Sequence, residues 1–141
     1  TGLAAADLAI FSVARFDVVA SQQRILGADS GNSDGFGLAN ATTGFFRANG
    51  GTATQPALNV TLTNTADFLY SGTRSSNSLT FFTNGTASAV ATNSDTFNAD
   101  SIGGGTLPIN GKLQEVIIYN TDQSANRLAI EANINNQYDI Y

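Results

Sequence analysis

The sequence predicts an all-β chain, an antiparallel sandwich of short strands closed by a single C-terminal helix. Short apolar runs rich in β-branched and aromatic residues recur along the chain, separated by clusters of Gly, Asn, Asp and Ser. Charged residues make up only 12% of the composition, and Asn, Thr, Ser and Gly fill the polar remainder, which favours strands and turns over long solvated helices. A helical period appears only near the end, from Leu128 to Tyr138.

Leu8 to Phe16 reads as a central strand because both faces are apolar: Ile10, Ala14 and Phe16 point one way, Phe11 and Val13 the other. Arg24 to Ala28 is a second strand. Asp29 to Gly35 is a turn, built from residues that tolerate left-handed backbone angles. Phe36 to Ala39 and Phe45 to Ala48 are strands split by the turn at Asn40 to Gly44. Asn49 to Pro56 is a loop, since Pro cannot donate to a central ladder. Ala57 to Leu62 alternates as a strand, with Leu58, Val60 and Leu62 on one side. Phe68 to Ser71 and Leu79 to Phe82 follow, separated by a loop from Gly72 to Ser78. Asn84-Gly85 predicts a two-residue type I′ hairpin turn, which needs positive φ at both positions. Gly103 to Pro108 loops into a final strand from Lys112 to Tyr119.

After a polar break at Asn120 to Ser124 the period changes. Leu128, Ala132 and Asn135 share one side of a helix, and Ile130, Ile134 and Tyr138 recur every fourth residue beside them. Ser124 is the expected N-cap, its hydroxyl accepting from a free first-turn amide.

The segment GKLQEVIIYN…S…R…AIEANINNQYDI resembles the C-terminal end of the concanavalin A-like, laminin-G-like jelly-roll domains of bacterial and phage surface proteins. LTFFTNGTASAV resembles the Asn-Gly hairpin of that family, and LAIFSVARFD with RILGADSG…DGFGLA resembles its early strands. The resemblance implies a single jelly-roll domain over residues 1–141, with a further strand-bearing segment ahead of Thr1. It also implies recognition or adhesion at a virion or bacterial surface, through glycan binding. The alternatives are a structural decoration, fibre or capsid-surface domain contacting other subunits of its assembly or further copies of itself, and, last, a glycoside hydrolase.

Composition narrows the chemistry. A chain of 141 residues buries roughly 68–70% of its unfolded surface, enough for a two-layer core. Net charge is −5, and six basic residues are spread without forming a patch, which argues against nucleic-acid partners. No apolar run approaches the roughly 18 residues of a membrane helix. The chain opens without Met or a signal-peptide pattern, which points to a processed or partial chain. Cysteine is absent, removing disulfides and thiolate chemistry. Histidine is absent too, removing Ser-His-Asp triads and imidazole metal sites. Sequons begin at Asn40, Asn59 and Asn84, as chance predicts in a chain rich in Asn and Thr.

Glycoside hydrolysis needs two carboxylates flanking the scissile bond, about 5–5.5 Å apart for retention or about 6.5–9.5 Å for inversion. The only glutamates are Glu115, with no acidic neighbour in its strand, and Glu131, in the helix, so a non-enzyme is expected. The favoured reading of Glu115 is a structural acceptor for backbone amides or Lys112; the other is a ligand-binding carboxylate. Asp29, Asn32 and Asp34 form an oxygen-rich loop that can supply part of a calcium shell. It is not an EF-hand: registering Asn32 and Asp34 at the third and fifth positions puts Ala41 where a bidentate Glu is required. The favoured role of these residues is a turn bonding its own backbone, and no cofactor besides calcium is expected. For sugar binding, Asp29, Asn32 and Asp34 at the rim would act with an aromatic platform, for which Phe46 and Tyr70 are the candidates, since one of Phe45 and Phe46 must face off the core.

Overall fold

The computed structural model describes residues 3–28, 34–48, 54–105 and 107–141. The strands are β1 (Leu3–Ala5), β2 (Leu8–Phe16), β3 (Gln23–Gly27), β4 (Gly35–Asn40), β5 (Thr43–Arg47), β6 (Asp67–Ser75), β7 (Ser78–Thr83), β8 (Thr86–Thr92), β9 (Phe97–Ala99), β10 (Ser101–Ile102) and β11 (Gly111–Tyr119); the helix α1 spans Arg127–Tyr138. Five strands form one antiparallel sheet in the order β11-β2-β6-β7-β8, and four form the facing sheet in the order β10-β3-β4-β5. A small β1-β9 pair stands beside them. The architecture is an all-β, two-sheet jelly-roll sandwich with one helix, as the sequence predicts.

Strand alternation splits the core in two. Leu8, Ile10, Ala14 and Phe16 of β2 face inward and meet Ile25, Leu26, Phe36, Leu38 and Phe46 of the opposite sheet. Ala9, Phe11 and Val13 face outward, where Ile134 of α1 covers them, with Ile130 and Tyr138 alongside. β2 is therefore buried on both faces, which explains why it reads as apolar throughout. Rings lock the inner layer: Phe36 stacks on Phe81 at 4.8 Å between centroids, and Phe46 on Phe97 at 5.2 Å.

Three glycine and turn positions matter to this packing. Asn84 and Gly85 take φ of 49° and 73°, the turn their sequence demands. Gly72 leaves room for a ring: a Cβ there would stand 2.6 Å from Phe36 Cε2. Ser76 and Asn77, at φ of 47° and 71°, make the β6–β7 turn.

That turn corrects one expectation. The predicted loop from Gly72 to Ser78 is mostly strand, because Gly72, Thr73 and Arg74 continue the β6 ladder against β7. Arg74 is fully buried and closes one end of the core, its Nη1 donating to the Asp95 carbonyl at 2.8 Å while its guanidinium lies over Phe46. The predicted strand from Ala57 to Leu62 is not one. Only Ala57 pairs, in an isolated antiparallel bridge to Thr43 closed by Gly44 N–H to Pro56 O and Leu58 N–H to Thr42 O, and beyond it Leu62 N–H donates to Ala41 O. Past that bridge its alternation reports burial alone: Leu58 and Leu62 still enter the core.

A bulge in β11 sets its phase. The register passes from Leu113↔Ala14 to Glu115↔Val13, leaving Gln114 as the extra residue. Leu113, Val116 and Ile118 thus all pack on the inner core, while Ile117 and Tyr119 turn to the helix side. The helix begins later than predicted, with Asn126 at the N-cap and no side-chain cap bond. Ser124 instead bonds Asp122 Oδ1 through both its N–H and its hydroxyl, so it stabilises the preceding turn. Among the described residues no helix is long and apolar enough to cross a membrane.

Candidate functional site

The residues nominated from sequence as ligand contacts do not come together at the rim. Phe46 is 0% exposed, held between Phe97 and the Arg74 guanidinium. Its neighbour Phe45 does turn to the other side of the sheet, but Arg24 covers it at 5.3 Å. Tyr70 is also 0% exposed, edge-on to Phe16 at 5.7 Å, and burial pushes its hydroxyl well above the ordinary tyrosine range. Neither Phe46 nor Tyr70 offers a face for a sugar. Asp34 is buried, with its carboxylate accepting the Asn98 N–H at 2.9 Å and its carbonyl accepting from Ala28 N–H and Arg24 Nη1. It ties β9 to the sandwich. Asp29 and Asn32 lie outside the described residues. Among the described residues no three acidic side chains gather to hold a metal.

An open groove forms elsewhere, where α1 crosses the β7–β8 hairpin. One wall is the turn itself, Asn84, Gly85 and Thr86. Asn84 is gripped twice by β6, its N–H donating to Leu69 O and its Oδ1 accepting Leu69 N–H, both at 2.9 Å. The other wall is α1, fixed to the sheet by a buried polar cluster. Glu131 is 1% exposed and accepts from the Ser71 hydroxyl of β6 and from Arg127. Arg127 in turn lies 3.9 Å over the Phe82 ring and donates to the Gly85 carbonyl. Burial raises the Glu131 carboxyl above its usual value despite the opposing pull of Ser71 and Arg127.

Past the helix the chain doubles back. Asp139 adopts a left-handed conformation and its N–H bonds Asn135 O at 2.7 Å. The Asn135 side chain then holds the segment, Oδ1 accepting the N–H groups of Ile140 and Tyr141. Tyr141 is thereby laid against the turn, its hydroxyl 3.0 Å from where a Cβ on Gly85 would stand. The groove encloses about 450 Å³, with Leu128 (70% exposed) and the half-exposed Tyr141 ring on its sides. The Asn84 amino group, the Thr86 hydroxyl and the Asn136 amide have no partner among the described residues, whereas Glu131 is neutralised by Arg127. Such a groove offers one aromatic face, an apolar wall and uncharged donors and acceptors. It suits a polyhydroxylated ligand, whose ring faces are apolar and whose edges are polar.

Sequence reasoning missed this groove. Arg127, Glu131, Ile134 and Tyr138 fall on one helical stripe, so a buried ion pair beside the apolar residues was the available signal. Glu115 is corrected as well. It bonds neither a backbone amide nor Lys112 among the described residues, so it is not the structural acceptor the sequence suggested.

No protein-family model matches the sequence, and no curated protein matches it. Solved structures do resemble the fold. A protein of Bacteroides ovatus named as a candidate carbohydrate binder superposes with a TM-score of 0.67 at 16% identity, over 89% of this chain and 40% of its own. A heptameric SAP-like pentraxin from Limulus polyphemus gives 0.69 at 12% identity, over 92% of this chain and 71% of its own. The Trypanosoma rangeli sialidase gives 0.59 at 13% identity, over 86% of this chain and 22% of its own. At these identities the likeness establishes the sandwich fold, and this chain spans less than half of the Bacteroides and trypanosome proteins.

Proposed function

We propose that this chain is a non-enzymatic glycan-recognition module, of the laminin-G-like kind displayed on virion or bacterial surfaces. The observation that carries the reading is the groove between α1 and the β7–β8 turn. There the exposed Tyr141 ring stands beside the unpartnered polar groups of Asn84, Thr86 and Asn136. The fold it shares with a named candidate carbohydrate binder and a pentraxin supports the same reading by analogy. Against hydrolysis, the two glutamates line different grooves, and Glu131 is committed to Arg127 and Ser71. A glycan array followed by calorimetry on the best hit tests the proposal. Tyr141→Ala and Asn136→Ala should each weaken binding about tenfold, in line with ~1–1.5 kcal/mol for an aromatic contact or a buried hydrogen bond. Undiminished binding by both variants, or release of reducing sugar, would reject it.

A structural role, through contacts with further copies of this chain, is the second reading. It is favoured by β11, which pairs only with β2 and leaves its other edge unpaired among the described strands, beside the exposed Ile102. Light scattering across a concentration series separates the two.

A further inference from the structure

The second groove along α1 lies on its opposite flank, against β11. It encloses about 490 Å³ and is lined by Glu115, Asn133, Ile134, Asn136, Gln137 and Tyr138. Asn136 lines both grooves, so they adjoin across the exposed ridge of the helix. Their electrostatics differ. In the first groove the carboxylate is cancelled by Arg127. In the second, Glu115 is half-buried and has neither a hydrogen bond nor an ion pair among the described residues. Lys112, three positions back on the same strand, leaves it unpaired.

The bulge at Gln114 places this carboxylate. Without the extra residue Glu115 would oppose Ser12 and face the core; with it, Glu115 opposes Val13 and stands on the helix side. An uncompensated carboxylate beside a tyrosine ring and three side-chain amides has donors and acceptors for sugar hydroxyls and one negative charge for a cation. We infer that the Glu115 groove is a second subsite, taking the free ammonium group of a hexosamine unit in a glycan whose neighbouring unit lies in the Tyr141 groove. This rests on the glycan reading above and adds a preference for a charged amine over an acetylated or neutral sugar.

Calorimetry with the whole chain tests it, using four ligands: a glucosamine tetramer, its fully N-acetylated form, cellotetraose and tetralysine. The glucosamine tetramer should bind about three- to fivefold tighter than the other two sugars, a margin typical of an exposed ion pair, and 0.5 M salt should shrink that margin. Glu115→Gln should abolish the margin, bringing the glucosamine tetramer to the affinity that the same variant shows for the two other sugars, with the melting temperature unchanged. Equal binding of the three sugars, or a margin that survives in Glu115→Gln, would overturn the inference and leave the glycan reading standing. Tetralysine binding that depends on Glu115 without a matching sugar preference would also overturn it, assigning the charge to peptide amines. Failure of every sugar to bind would reject both.

Discussion

Replacing Arg127 by Met tests the polar cluster that joins helix to sheet. The substitution keeps most of the aliphatic stem but removes the charge that neutralises Glu131, the donor to Gly85 and the cation over Phe82. Stranding one member of a fully buried pair costs about 3–5 kcal/mol. Here the Glu131 side chain is 2% exposed and that of Arg127 15%, which places the loss near the lower bound, about 3 kcal/mol with the ring contact included. For a chain of this size that is a fall of about 9 °C in Tm. Thermal and urea unfolding followed by circular dichroism would measure it. The double variant Arg127→Met, Glu131→Leu removes both charges and should return to within about 1 kcal/mol of the parent, since an apolar pair of similar volume replaces the ion pair at little cost. A double variant no more stable than Arg127→Met alone would refute the reasoning, because the penalty would then belong to packing and not to an orphaned anion.

The same cluster predicts a pH profile. Burial raises the Glu131 carboxyl, so the folded state holds that proton more tightly than the unfolded chain. Its stabilising share is complete below the unfolded-state pKa and is lost as pH rises through the elevated folded value; urea midpoints across that range should show the decline, and Glu131→Gln should flatten it. Gly72→Ala should cost about 1–3 kcal/mol by overpacking, because the added methyl would meet the Phe36 ring at 2.6 Å; an unchanged urea midpoint would contradict the packing described for the inner layer.

Legibility in the sequence followed how local each determinant is. The two-faced apolar run of β2 and the Asn84-Gly85 turn were readable because alternation and positive φ are decided by adjacent residues. The Ala57–Leu62 alternation misled because burial of every second residue does not require a ladder partner. Gly72, Thr73 and Arg74 looked like loop residues, and only the packing of Phe36 and Phe46 against them shows why a strand carries them. The β11 bulge had a trace in the spacing of Leu113, Val116 and Ile118, an odd step inside an otherwise alternating strand. Phe46 and Tyr70 resemble surface platforms in the sequence because local order fixes which residues alternate, not which side the facing sheet covers. The groove was least legible of all, since Ser71 and Glu131 meet across 60 positions of chain.

That separation has a thermodynamic consequence. One wall of the groove belongs to a hairpin and the other to a helix docked on it from far along the chain, so the groove exists only while the two are clasped. Occupancy and clasping therefore share a single equilibrium. A ligand held at a hundred times its dissociation constant would add about 2.7 kcal/mol to the docked state. Any agent that loosens the helix would open the groove and bare Ala9, Phe11 and Val13 of the sheet at the same time.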